Sequence, residues 1–504
     1  MKKINWKYIK VGYFLLAAFL IILFASRSSF LYPCNNWNDA NSYFSVGKAL
    51  FNGKVPYRDV FDQKGMYLYF FYGLAYLVSH TTFAGVFLME VILATFDIAG
   101  ICKILKLFVK EKTALILTPM VLAVSFASYS FYWGGCAEEV CLPFIIWSLY
   151  FSLAYFKNDY PDKEMPKRTL FIGGLLAGMV ANIKFTSLGF FFAWMMCVAF
   201  SFLVKKNFFG AVKACLIFLA GMLIPFVPWF IYFAIHNALY YWYWGYVWVN
   251  VFAYSNLNNE GPSLFERIYI LAKILYWLII QNFGYFVFII PGVLAFFFGK
   301  GKKILERFNI LALCFFLFIG IYIGGLQLPY YALPLSVFAV LGFALLGRII
   351  EWILKKTGMV FLKKSAVLVT LSFLSIVVST CFIYFTSMNT PFMKEKREDM
   401  FLYKFKEIVE QEENPTLLNI SCLDAGLYTV CDIVPTCQWF QTQTVIMETV
   451  LGEQERYIRE GLISFIIARD EYPQAIWERY ELVAQEPWYH EGTEFTYYLF
   501  KRKE

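Results

Sequence analysis

Histidine is nearly missing from this chain, with three in 504 residues, so an imidazole-built metal site is not expected. The eleven cysteines form no C-x-x-C pair and no cluster with histidine. Most of them lie in apolar segments, where Cys behaves as a small hydrophobe. Charge is sparse too: Asp, Glu, Lys and Arg make up only 16% of the residues. No nucleotide-binding pattern is present, and no clear internal repeat of the kind many transporters carry.

Apolar sequence takes the space, at 60% hydrophobic and 21% aromatic. Its runs recur near the roughly 20 residues that cross a bilayer of about 30 Å. Lipid offers no hydrogen bonds to the backbone, so such runs are helices rather than open strands. The chain therefore reads as a polytopic membrane protein with the bilayer as its first partner. Much of its Phe and Tyr is expected at lipid-facing or interfacial positions. A net charge of +8 could point to nucleic acid. In a membrane protein, however, excess lysine belongs to cytoplasmic loops, and no nucleic-acid partner is expected. Met1-Lys2-Lys3 before the apolar run Val11 to Ala25 has the form of a signal sequence, read here as an uncleaved first helix.

Spans are expected near residues 8–26, 83–108, 113–131, 140–156, 169–186, 188–204, 209–234, 277–298, 310–325, 330–354 and 366–386, about eleven in all. Basic clusters follow alternate spans: Lys103, Lys106, Lys110 and Lys112; Lys157, Lys163, Lys167 and Arg168; Lys205 and Lys206. Later come Lys300, Lys302, Lys303 and Arg307, then Lys355, Lys356, Lys363 and Lys364. With Lys2, Lys3 and Lys7 they mark the cytoplasmic side, which puts the N-terminus inside and the C-terminus outside. The scheme requires Met66–Val78, "MYLYFFYGLAYLV", not to cross. Its 13 residues reach only about 20 Å as a helix, so it is read as interfacial. A long first external loop then runs from Ser26 to about Thr82. A second outward region, His236–Arg267, carries a Trp/Tyr belt.

The fold class expected is an all-α polytopic membrane domain over residues 1–387 and a small extracytoplasmic α/β domain over 388–504. The latter offers strands at Leu417–Leu423, Leu462–Ala468 and Thr496–Lys501, with helical patterns at Gln441–Arg459 and Pro473–Tyr480. Cys422, Cys431 and Cys437 could supply one disulfide.

The external loop is the chemically dense part. Asp39 stands at the start of a short amphipathic helix in which Tyr43, Val46, Ala49 and Leu50 recur at helical spacing. A carboxylate there gains from the helix N-terminus, and a plain helix cap is the competing reading. Arg58, Asp59, Asp62 and Lys64 follow in "GKVPYRDVFDQKG", a pattern that also suits a solvated loop of paired charges. Glu138 and Glu139 lie at the outer end of a span. Lys184 near another helix end could simply snorkel. Asp97 lies inside a span.

Four stretches carry a resemblance: "NDANSYFSVGKALFNGKVPY", "FDQKGMYLYFFYGLAYLV", "GGLLAGMVANIKFTSLG" and "LQLPYYALPLSVFAVLGF". In order and spacing they resemble the GT-C superfamily of integral-membrane glycosyltransferases. The match is closest to the family-39-like branch of protein mannosyltransferases and the lipid A aminoarabinose transferase. Lys64 falls on that branch's K-P-P-L-x-Y-W-L lysine and Lys184 on the lysine of G-x-x-x-G-L-x-x-L-x-K. The chain departs from the branch in having Asp39-Ala40 for Asp-Glu and Gly65-Met66 for Pro-Pro.

The resemblance implies a GT-C-like glycosyltransferase fold, a sugar donor on a polyprenyl phosphate, and transfer outside the membrane. Asp39 is then the catalytic base. Arg58, Lys64 and Tyr331 are expected at the donor lipid phosphate, and Asp59, Asp62, Glu138, Glu139 and Lys184 are candidate substrate-binding groups. No cofactor and no metal is expected, although a metal held by Asp39 with Glu138 or Glu139 is conceivable. The acceptor expected is a cell-envelope glycopolymer or glycolipid. A lipid-linked sugar flippase and a polysaccharide polymerase are the alternatives.

Overall fold

The computed structural model describes residues 6–253, 263–299, 303–357, 365–443, 448–490 and 492–504. Lys2, Lys3, Lys300, Lys302, Lys363 and Lys364 of the basic clusters lie outside the described residues. So do residues 254–262 of the second outward region and 444–447 of the expected helix Gln441–Arg459.

The first helices are α1 (Trp6–Ala25), α2 (Asn38–Phe51), α3 (Met66–Tyr76), α4 (Ala84–Lys106), α5 (Glu111–Phe126), α6 (Ala137–Asn158) and α7 (Lys167–Ala181). Among the described residues eight helices are long and apolar enough to span a membrane, or nine if Leu264–Gln281 and Phe283–Phe298, bent by 112°, count as one span. The chain is a multi-pass membrane protein. The other two spans expected from sequence are α5 and α7, which form helices of 16 and 15 residues. Helix α3, at 11 residues, is too short to cross.

The chain forms two compact units. One comprises Met1–Ser26, Glu90–Pro228 and Pro262–Pro391; the other comprises Arg27–Met89, Trp229–Gly261 and Phe392–Glu504. In the first, α7 packs on the helix Phe208–Leu223 through small residues. A Cβ at Gly174 would lie 2.0 Å from Phe218 O, and one at Gly178 2.3 Å from Met222 O. Such i, i+4 glycines let two membrane helices approach backbone to backbone.

In the second unit α2 crosses α3 equally closely: a Cβ on Gly47 would meet Gly73 N at 2.6 Å. Helix α2 is not half-wet, as an amphipathic pattern implies, because Ala40 through Ala49 are all buried. Its polar side is covered by the C-terminal residues of the same unit. Asn41 accepts from Thr429 Oγ1 at 2.8 Å, Ser42 donates to Gln441 at 2.7 Å and Ser45 donates to Asp424 at 2.5 Å. The fully buried Lys48 pairs with Asp432 at 3.0 Å and donates to Tyr428 O at 2.9 Å.

The C-terminal sheet contains β1 (Leu417–Ile420), β2 (Phe465–Arg469), β3 (Tyr480–His490) and β4 (Thr493–Arg502), in the order β1-β2-β4-β3. β1 and β2 are parallel, while β4 runs antiparallel to both β2 and β3. Strands β1, β2 and β4 stand where the hydrophobic pattern places them. The expected helical stretch Gln441–Arg459 becomes a helix over Glu448–Glu460, and Pro473–Tyr480 yields only the turn Ile476–Arg479. Cys422, Cys431 and Cys437 are all free thiols.

Candidate active site

Asp39 is the second residue of α2; the N-cap position belongs to Trp37, which offers no capping side chain. One turn later Tyr43, 1% exposed, donates from Oη to Asp39 Oδ2 at 3.0 Å. Tyr43 is itself held edge-on against Tyr72 of α3 and Trp37. Lys64 Nζ lies 5.8 Å from the centroid of the same Tyr43 ring. One aromatic side chain therefore carries the carboxylate at its tip and the ammonium by its face.

The loop that delivers Lys64 is tightly tied. Tyr57, fully buried with φ of 67°, donates from Oη to Lys64 O at 2.5 Å. Lys64 N donates to Tyr69 Oη at 2.7 Å, so two buried tyrosines hold both sides of this peptide. Gln438 donates to Tyr57 O at 2.9 Å, and Asn250 donates to Gln63 O at 2.7 Å. An L-residue at such a φ is sterically disfavoured and persists only where its surroundings fix it.

Asp62 is 5% exposed and accepts from Gln63 N at 2.8 Å. Burial pushes its carboxyl up; Lys64 opposes that shift and Asp39 adds to it. These influences place Asp62 in one electrostatic group with Asp39 and Lys64. Arg58 is engaged elsewhere. Its fork grips Asp59 at 2.8 and 3.0 Å, and Nη1 donates to His236 O at 2.8 Å. Burial raises the Asp59 carboxyl, but hydrogen bonds from Arg58 and from Val55 N outweigh it, and the group rests below the usual carboxylate range. The solvated-loop reading thus describes the Arg58–Asp59 pair, whereas Asp62 is buried and Lys64 half-buried.

The remaining candidates belong to the first compact unit. Glu138 and Glu139 occupy the first turn of α6, where Cys136 Sγ accepts from Glu139 N and Glu139 accepts from Gly135 N at 2.8 Å. Lys184, just past α7, does not snorkel outward: it ion-pairs with Glu138, and their side chains are 10% and 3% exposed. Its Nζ also stands 3.6 Å from the Tyr331 ring centroid and 5.3 Å from that of Tyr330. Tyr331 is thus a neighbour of Lys184 and Glu138. Asp97 is fully buried on α4.

Sequence reasoning passed over Tyr43, Tyr57 and Tyr69 as site components, although all three lie in the quoted motifs. It also passed over Glu90, fully buried, whose two carboxylate oxygens accept from Ser26 Oγ at 2.8 and 2.9 Å. The available signal was a second carboxylate, beside Asp97, inside one apolar run.

No family model and no curated protein matches the chain in sequence. The fold nevertheless has solved counterparts: it is ArnT-like. The whole chain is similar to ArnT from Cupriavidus metallidurans bound to undecaprenyl phosphate, with a TM-score of 0.64, 12% identity and 97% of each chain covered. It is similar to the apo state of that protein with a TM-score of 0.61, 11% identity and 98% of each chain covered.

Proposed function

We propose that the protein is an inverting glycosyltransferase of the membrane. It moves a sugar from a polyprenyl-phosphate donor to a hydroxyl on a cell-envelope glycopolymer or glycolipid, on the outer face. The observation that carries this reading is the placement of Asp39 and Lys64 about one ring, on backbone that α2, α3 and two tyrosines hold rigid. The undecaprenyl phosphate bound by the similar ArnT supports the choice of donor class.

The chemistry needs little else. The acceptor oxygen attacks the anomeric carbon while its proton passes to Asp39. The bond from that carbon to the phosphate oxygen breaks, and the lipid phosphate leaves with the electron pair. Its growing negative charge requires a fixed cation, which Lys64 supplies. Tyr43 donates to Oδ2 of Asp39 and so orients the carboxylate that receives the proton. Asp62 acts on the Lys64 ammonium electrostatically. Arg58, gripped by Asp59, serves the phosphate only by exchanging that partner. Glu138, Lys184 and Tyr331 form a polar group suited to sugar hydroxyls.

Incubating the purified protein with labelled polyprenyl-phosphate sugar and envelope extract tests the reading. A transferase puts label on an acceptor and releases polyprenyl phosphate, whereas a flippase returns the donor chemically intact.

A further inference from the structure

The second unit contains a cavity of about 80 Å³ away from Asp39. A single water needs roughly 10–15 Å³, so there is room for several waters or one compact anion. Its walls come from the segment after α1, from residues 81–84 at the start of α4, and from C-terminal residues that include Arg397, Tyr403 and Thr429. Two arginines line it and no Asp or Glu does. Asn41 on its wall and Asp39 stand about 200° apart around α2, so cavity and carboxylate face different sides of that helix.

Arg27 is only 3% exposed. Its guanidinium lies 3.5 Å from the centroid of the Phe392 ring and donates from Nη1 to Asn36 Oδ1 at 3.4 Å. Arg397 is exposed, and its Nε is anchored on Pro33 O at 3.0 Å. Its two Nη groups have no hydrogen-bond partner among the described residues. Both guanidinium charges act on Cys34, which is also on the wall; burial pushes that thiol up to about 12 and the arginines oppose it. The nearby acid on which Arg27 acts is Glu395, half-buried, whose carboxyl burial pushes up despite that cation. Ala84, the first residue of the 23-residue α4, is on the wall and brings a positive helix end there, while its own N–H donates to Thr82 Oγ1 at 3.4 Å. Arg27 comes two residues after the first span ends, which is headgroup depth.

We propose that this cavity binds a phosphate ester, at a site separate from that of Lys64. A buried cation, an exposed planar fork and a helix N-terminus are the donors a tetrahedral oxyanion takes. The ester reaches it either as an anionic lipid headgroup or as a soluble phosphate ester. The inference does not depend on sugar transfer, because its readout is binding alone.

The test uses the full-length protein in zwitterionic nanodiscs, with the Lys64→Ala form beside it so that any phosphate bound at Lys64 is subtracted. Inorganic phosphate and glycerol 1-phosphate are titrated calorimetrically, and hydrogen exchange is followed in the peptide covering residues 27–36. Both forms should bind, with that peptide protected. Arg397→Gln, at an exposed position, should weaken binding about tenfold through loss of charge-assisted contacts. In nanodiscs containing phosphatidic acid, protection present before phosphate is added identifies the lipid headgroup as the source. Protection that still requires the soluble ester identifies the latter. Absence of protection with every probe, or binding indifferent to both Arg397→Gln and Arg27→Gln, overturns the proposal.

Discussion

Lys184→Met keeps most of the apolar stem but removes the ammonium facing Glu138. The two side chains are 10% and 3% exposed, so the carboxylate left behind has almost no water to turn to. Removing one member of a buried pair costs about 3–5 kcal/mol. Loss of the contact with the Tyr331 ring, at 3.6 Å in a desolvated place, adds up to roughly 2 kcal/mol. Glu138→Gln should cost about as much as breaking the pair from the other side, because it strands the ammonium. The double variant buries no net charge, and its cost should fall short of the sum by roughly 2–3 kcal/mol. A double-mutant cycle from denaturant unfolding of the purified protein in detergent measures this coupling. Single costs below about 1 kcal/mol that simply add are the behaviour of a solvent-exposed pair and would refute the reasoning.

Lys64→Ala should weaken donor binding and turnover by about ten- to hundredfold, as expected for loss of one charge-assisted contact, and Lys64→Arg should recover part of it. Equal donor affinity and equal turnover in a titration with polyprenyl-phosphate sugar would leave Lys64 as a structural charge. Asp424, buried against Ser45 and Gly426 N, has its carboxyl raised by burial from 3.8 to about 6. The folded state therefore holds this proton more tightly than the unfolded chain does. Its contribution is complete below pH 3.8 and is lost as pH rises through about 6. Between pH 4 and pH 7 the wild type should lose about 2 kcal/mol relative to Asp424→Asn, read from unfolding at each pH. Parallel pH profiles for the two proteins would contradict the assignment.

The membrane architecture was legible because backbone in lipid has few options, and long apolar runs admit one reading. Strands β1, β2 and β4 were legible for a similar reason, since each carries inward-facing apolar residues. Strand β3 was not. It lies at the sheet edge and carries Glu481, Glu486 and Pro487, which only an edge strand tolerates. Helix α2 was found by its apolar spacing, but its polar face looked solvent-exposed. Its partners Asp424, Thr429, Asp432 and Gln441 come from almost 400 residues further along, and no local pattern announces them. In the candidate site Asp39 and Lys64 stood out through the motifs that carry the resemblance. The tyrosines that position them did not, because in a chain with 21% aromatic residues one more Tyr is no signal. Charge type and a planar fork put Arg58 beside Lys64 among the expected phosphate ligands. The Asp59 beside it in sequence takes up that fork instead.

The central claim is that Asp39 accepts the proton as the acceptor attacks. Asn is nearly the same shape and can still accept from Tyr43 through its amide oxygen, but it cannot take that proton. Asp39→Asn protein, checked for wild-type unfolding behaviour and donor affinity, should therefore be assayed for transfer of labelled sugar from its polyprenyl phosphate. The account predicts full donor binding with transfer reduced by at least about 10²-fold, the scale of a lost general base. Transfer near the wild-type rate from the Asn protein would contradict it.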